Sequence, residues 1–163
     1  MDDFKDNSFD MVISFDAPIS YTWPHQEKII GELIRIGRKR IMISVSSRLG
    51  YLPYKDAVMN LWNDGLIGGD REIAEYENGG VPWCITHTFM PDEMERILKR
   101  YGVKNIKLAG PGAYARTLPN ELLVKIMKDS QQRSDFLDFC YLYDSNPFVC
   151  GMGKDNLFAR GEL

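Results

Sequence analysis

The chain has 163 residues, with 20 Lys and Arg against 23 Asp and Glu, and its net charge of −3 argues against binding nucleic acid through bulk electrostatics. With 44% hydrophobic and 12% aromatic residues it has the composition of one folded domain, too short for two full ones. No apolar run approaches the ~18 residues of a membrane span, and the acidic start Met1 to Asp10 lacks the basic-then-apolar order of a signal peptide, so a cytoplasmic location is expected.

In chain order, the turn-rich Asp6-Asn7-Ser8-Phe9-Asp10 leads into Met11-Val12-Ile13-Ser14-Phe15, which predicts a buried strand of the parallel-sheet type over 11–15. Pro24 then opens a pattern with Ile29, Ile30, Leu33 and Ile34 on one face, an amphipathic helix ending at Gly37. Ile41-Met42-Ile43-Ser44-Val45 completes a β-α-β unit. Residues 46–89 read as an insertion, with a helix over 54–63, glycine breaks at 65, 68, 69, 79 and 80, and many aromatics.

Pro91 begins a second helix with Met94, Ile97, Leu98 and Tyr101 on its apolar face, stopped by Gly102 and followed by a strand over 103–109. Two further helices are expected over 118–128 and 136–143, and a short last strand over 156–160. The three cysteines, Cys84, Cys140 and Cys150, are odd in number and form no C-x-x-C pair, so disulfides are not expected. The two histidines, His25 and His87, have no neighbours at zinc-ligand spacing, so no metal site is expected.

Four words in this order resemble the class I S-adenosylmethionine-dependent methyltransferases. Asp6-Asn7-Ser8-Phe9-Asp10-Met11-Val12 matches the segment that enters that family's fourth strand, and Glu32-Leu33-Ile34-Arg35-Ile36 matches the helix before its fifth. Phe89-Met90-Pro91-Asp92-Glu93-Met94 through Gly102-Val103 looks like its last helix, and Asp155 to Arg160 looks like its seventh strand. The resemblance implies an α/β, Rossmann-like sheet made of the fourth to seventh strands in a single domain, with 46–89 as a lid or insertion. It also implies S-adenosylmethionine as methyl donor for an unidentified small molecule.

By the same resemblance the first three strands have no counterpart in these residues. With them go the glycine-rich loop and the ribose-binding carboxylate that hold the donor, so the chain is not expected to bind it well by itself. Asp2 and Asp3 fall near a family contact to adenine but a little too late for it. Gly110-Pro111-Gly112-Ala113-Tyr114-Ala115 spells a dinucleotide-type loop, but Pro111 removes a donor and more helix follows where a strand is needed. Gly151-Met152-Gly153-Lys154 lacks the rest of a phosphate loop and reads as a turn.

Asp16 to Trp23 leave the carboxyl end of the first strand, where open α/β sheets place ligands. The resemblance puts this segment near the transferring methyl group, with Phe15, Asp16 and Ala17 beside the donor and Asp16, Tyr21 and His25 binding an acceptor or taking its proton. The competing reading makes Asp16 or Thr22 a cap, Tyr21 and Trp23 packing residues and His25 a first-turn residue. The aromatics Tyr51, Tyr54, Trp62, Tyr76 and Trp83 read equally as a lid or as core. Arg35, Arg38, Lys39 and Arg40 read as a solvated helix end in place of the family's K-P-G-G turn. Without the preceding strands, one edge of strand 11–15 and one sheet face should be bare. A homodimer through either, or a partner chain carrying the missing half, is therefore expected unless the helices within 118–143 fold over the face.

Overall fold

The computed structural model describes residues 3–22, 24–51, 73–78, 81–153 and 156–163. The helix expected over 54–63, Trp23, Trp62, Asp2, Lys154 and the glycines at 65, 68, 69, 79 and 80 lie outside the described residues, as do the side chains of Tyr76 and Trp83.

Strand β1 spans Phe9–Ser14, helix α1 Gln26–Ile36 and strand β2 Gly37–Ser46. A one-turn helix α2 (Arg48–Tyr51) leads out of the sheet, and the hairpin β3 (Ile73–Asn78) and β4 (Val81–His87) leads back. Helix α3 (Pro91–Arg100), strand β5 (Lys104–Ala109), helices α4 (Asn120–Lys128) and α5 (Ser130–Asp144) and strand β6 (Asn156–Glu162) complete the order. The main sheet runs β1-β2-β6-β5, with β1 and β2 parallel and β6 antiparallel to both of its neighbours. The chain is thus an α/β protein with a mixed four-stranded sheet and flanking helices.

The core lies on one face of that sheet. Ile30, Leu33 and Ile36 of α1 and Met94, Ile97 and Leu98 of α3 pack onto Val12, Ile41, Ile43, Val45, Leu157 and Ala159. Each fully buried aliphatic here contributes about 1.5–3 kcal/mol. Gly31 lets the end of α3 approach α1, because a Cβ there would lie 2.8 Å from the Tyr101 ring.

Several expectations need correction. The first strand begins at Phe9 rather than 11, and it is an edge strand in which Val12 alone is buried while Ile13 is 55% exposed. Its continuous apolar run therefore reflects one core-facing position and a second face left open. No turn separates α1 from β2: Gly37 is already extended (φ −82°, ψ 147°), so Arg38, Lys39 and Arg40 belong to a strand and not to a helix end. The helices over 118–143 leave the face of β1 that bears Met11 and Ile13 open, since those side chains are 43% and 55% exposed. Within the segment read as an irregular insertion, two strands, 73–78 and 81–87, pair antiparallel. Among the described residues no helix is long and apolar enough to cross a membrane.

The motif words meet in space. Arg35 of α1 grips Glu32 with Nε and Nη2 (3.1 and 2.9 Å to Oε2) and reaches Asp6 Oδ1 (2.6 Å) and the Phe4 carbonyl (2.9 Å). Asn7, at φ 57°, donates its N–H to the Arg35 carbonyl. Arg38 and Lys39 both hold Asp10. The Arg35 guanidinium keeps the Glu32 carboxyl below its ordinary range, Arg38 and then Lys39 do the same for Asp10, and Glu32 with Asp6 pushes Arg35 upward.

Candidate functional site

The carboxyl ends of β1 and β2 lie side by side, and the segment from Phe15 to Thr22 crosses over them. Its entry is strained: Asp16 (φ 69°) and Ala17 (φ 54°) are consecutive left-handed residues that are not glycine. Two buried serine hydroxyls of the site hold it there. Ser44 Oγ accepts the Ala17 N–H (3.3 Å), and Ser20 Oγ accepts the Ser46 N–H (2.8 Å), which ties the 3₁₀ turn Pro18–Tyr21 to β2. Ile19, 1% exposed, plugs the same turn into the core.

The expected site residues divide. The Asp16 side chain is exposed, with no hydrogen bond or ion pair among the described residues. Ala17 is buried and its N–H is already engaged by Ser44, so it offers a ligand no donor. Phe15 lies half-exposed against Phe158, ring centroids 5.5 Å apart, on the open face of the sheet. Tyr21 is exposed at the end of the 3₁₀ turn, and His25 is exposed at the residue before α1, its N–H donated to the Thr22 carbonyl. No hydrogen bond joins Asp16 to His25. Thr22 acts as a local cap, donating its hydroxyl to the Ile19 carbonyl at 2.7 Å.

A second buried polar cluster lies where the chain returns from β4. His87 Nε2 stands 2.8 Å from Glu93 Oε1, and Arg48 Nη2 lies 3.9 Å from Glu93 Oε2 and 3.1 Å from the Thr88 carbonyl. Glu93 Oε2 also accepts the Met90 N–H (3.3 Å) at the start of α3. Phe89 pairs with the end of β2, accepting from Arg48 N–H and donating to the Ser46 carbonyl. These contacts fasten the returning strand beside the carboxyl ends of the sheet, and β4 passes the Pro18–Tyr21 turn. His87 is only 2% exposed, and its contact with Glu93 fastens the segment.

Sequence reasoning missed Ser20, Ser44, Ser46, His87 and Glu93. A signal was present: polar Ser44 and Ser46 inside the apolar run 41–45 and its extension need buried partners, and Glu93 at the third position of a helix is placed to cap it.

The glycine loop at 110–112 is closed to anions by the chain itself. Asp144 accepts N–H groups from Gly112 (2.8 Å, Oδ2) and Tyr114 (3.2 Å, Oδ1), and its carbonyl accepts that of Gly110 (2.8 Å). A Cβ at Gly110 would lie 1.9 Å from the Cys150 carbonyl oxygen, so this glycine serves close backbone packing. Cys140 and Cys150 are free and buried, and burial pushes both thiols up. No group of three or more His, Cys, Asp or Glu side chains among the described residues is arranged to hold a metal ion.

No protein-family model and no curated protein matches the chain.

Proposed function

We propose that these residues form the C-terminal half of a class I S-adenosylmethionine-dependent methyltransferase fold, whose parent activity is methyl transfer to a small molecule. The observation that carries the reading is the sheet order: the segment resembling the family's fourth strand forms β1, the next strand is its parallel neighbour, and the last strand enters antiparallel between β2 and β5. That arrangement resembles the fourth, fifth, seventh and sixth strands of the family in the order they occupy there.

The fit to the donor is partial. The exposed Asp16 carboxylate at the carboxyl end of β1 suits the place of the reacting groups, while the glycine cradle that the chain does possess is filled by Asp144. When bound, S-adenosylmethionine supplies an electrophilic methyl group on a sulfonium. This chain contributes an acceptor wall from Phe15 to Tyr21, held rigid by Ser20 and Ser44. Asp16 accepts the proton released by the acceptor's nucleophilic atom, and Tyr21 and His25 border the acceptor. The hairpin β3–β4, passing the same turn, serves as the lid. By itself the chain holds the donor weakly and does not turn over efficiently.

Photolabelling with methyl-tritiated S-adenosylmethionine tests this reading. Label on the peptide that contains Phe15 and Tyr21, suppressed by excess S-adenosylhomocysteine, is expected. Label confined to other peptides, or insensitive to the competitor, overturns it. A second reading, a non-catalytic interaction module, is favoured by one observation, the uncovered apolar face of the sheet.

A further inference from the structure

The sheet face opposite the core carries Met11, Ile13 and Met42 beside Phe15 and Phe158, because register pairs Met11 with Arg40, Ile13 with Met42 and Met42 with Arg160 on one side. No helix among the described residues lies on it, although a sheet with parallel strands ordinarily buries both faces. Next to the apolar stripe stand three exposed cations, Arg40, Lys107 and Arg160, none of which has an ion pair among the described residues. The one nearby acid, Glu162, accepts from Asn105 Nδ2 at 2.7 Å.

The same chain presents the complementary surface. Helix α5 packs inward through Phe139 and Tyr143 against Tyr114 and through buried Cys140. Helical spacing then turns Leu137, Asp138, Tyr141 and Leu142 outward. Leu137 is 53% exposed, and Asp138 has no ion pair among the described residues.

We infer that the outward face of α5 in a second copy docks on the open sheet face, with Asp138 over Arg40, Lys107 and Arg160. A two-fold axis makes the contact reciprocal, so each protomer uses both patches and a helix covers each open face. The inference rests on exposure and charge and holds whether or not the methyltransferase reading does. It commits to the face rather than the edge of β1, because edge pairing alone would leave the apolar stripe and the cations uncovered.

Sedimentation equilibrium of the full chain at micromolar concentrations tests it, using Asp138→Lys and Arg160→Glu. Both positions are exposed, and a melting curve on each variant checks that the fold is kept. The wild type should be a dimer, and each single variant should dimerise about 100-fold or more weakly, since each places like charges together twice. An equimolar mixture of the two variants should recover a dimer containing one copy of each, because every helix then meets a sheet of opposite charge. A monomeric wild type, a dimer that both variants retain, or a mixture that stays monomeric overturns the inference.

Discussion

Ser20 Oγ accepts the backbone N–H of Ser46 at 2.8 Å, with both residues buried, and so fixes the loop after β1 against the end of β2. In Ser20→Ala that N–H has no partner in the interior, and a loss of about 1–3 kcal/mol in urea unfolding is expected. Hydrogen exchange should quicken at Ile19 to Thr22 more than in α3. An unchanged stability would mean that the hydroxyl is replaceable by water.

Ala17→Gly probes the strain at the entry to the same loop. A left-handed residue costs an L-side chain roughly 1–2 kcal/mol, while glycine loses ~0.5–1 kcal/mol more conformational entropy on folding. A small net gain in stability, up to about 1 kcal/mol, is expected from those two terms. A clear loss would show that the Ala17 side chain contributes more by packing than its backbone costs.

The fold was largely legible because its helices and strands have strong periodicities. Met94, Ile97 and Leu98 recur at helical spacing, and Pro91 and Gly102 bracket them. The open face was harder to read: Met11, Ile13 and Phe15 are as apolar as core residues, and nothing in a single strand says which face another layer covers. Asp16, Tyr21 and His25 fall between β1 and α1, where the strand and helix patterns put them, but the contacts that hold that segment were not legible. Ser20 meets Ser46, and His87 meets Glu93, across sequence distances that no local pattern encodes. The helix end was read too far, through Arg38, Lys39 and Arg40, because Gly37 both ends the helix and begins the strand, leaving no turn to mark the boundary.

Asp144 places a carboxylate at the C-terminal end of α5, against the helix dipole, and is held by the N–H groups of Gly112 and Tyr114. Asp144→Ala should lower stability by about 1–3 kcal/mol by stranding those donors. Asp144→Asn, which keeps one acceptor oxygen, should lose less. Equal stability in all three proteins would show that the loop does not depend on this carboxylate.

Glu32 and Asp10 titrate below their ordinary values in the fold because Arg35, and Arg38 with Lys39, favour their charged forms. Their contribution to stability is therefore complete above the unfolded carboxyl pKa values and declines as the pH falls through the lower folded ones. Urea midpoints measured from pH 6 downward should fall in acid, and Arg35→Gln should flatten part of that dependence. A midpoint that rose on acidification would contradict the sign.

Burial raises the Cys140 and Cys150 thiols, so little thiolate is present at neutral pH. Iodoacetamide at pH 7 should modify both slowly in the folded chain and quickly in urea, as mapped by peptide mass spectrometry. Rapid labelling of Cys150 in the folded protein would show that the thiol becomes accessible without unfolding.

The loop from Phe15 to Tyr21 as the ligand-facing part of this fold is tested most directly by a ¹H–¹⁵N correlation spectrum titrated with S-adenosylhomocysteine into the millimolar range. The expected result is a weak, saturable shift of the Phe15, Asp16 and Ile19 to Thr22 amides, diminished in Asp16→Ala, with little change in melting temperature. Shifts confined to other parts of the chain, or none at all, would contradict it. So would a large thermal stabilisation, because a ligand at 100 times its dissociation constant adds about 2.7 kcal/mol and a partial site should not bind so tightly.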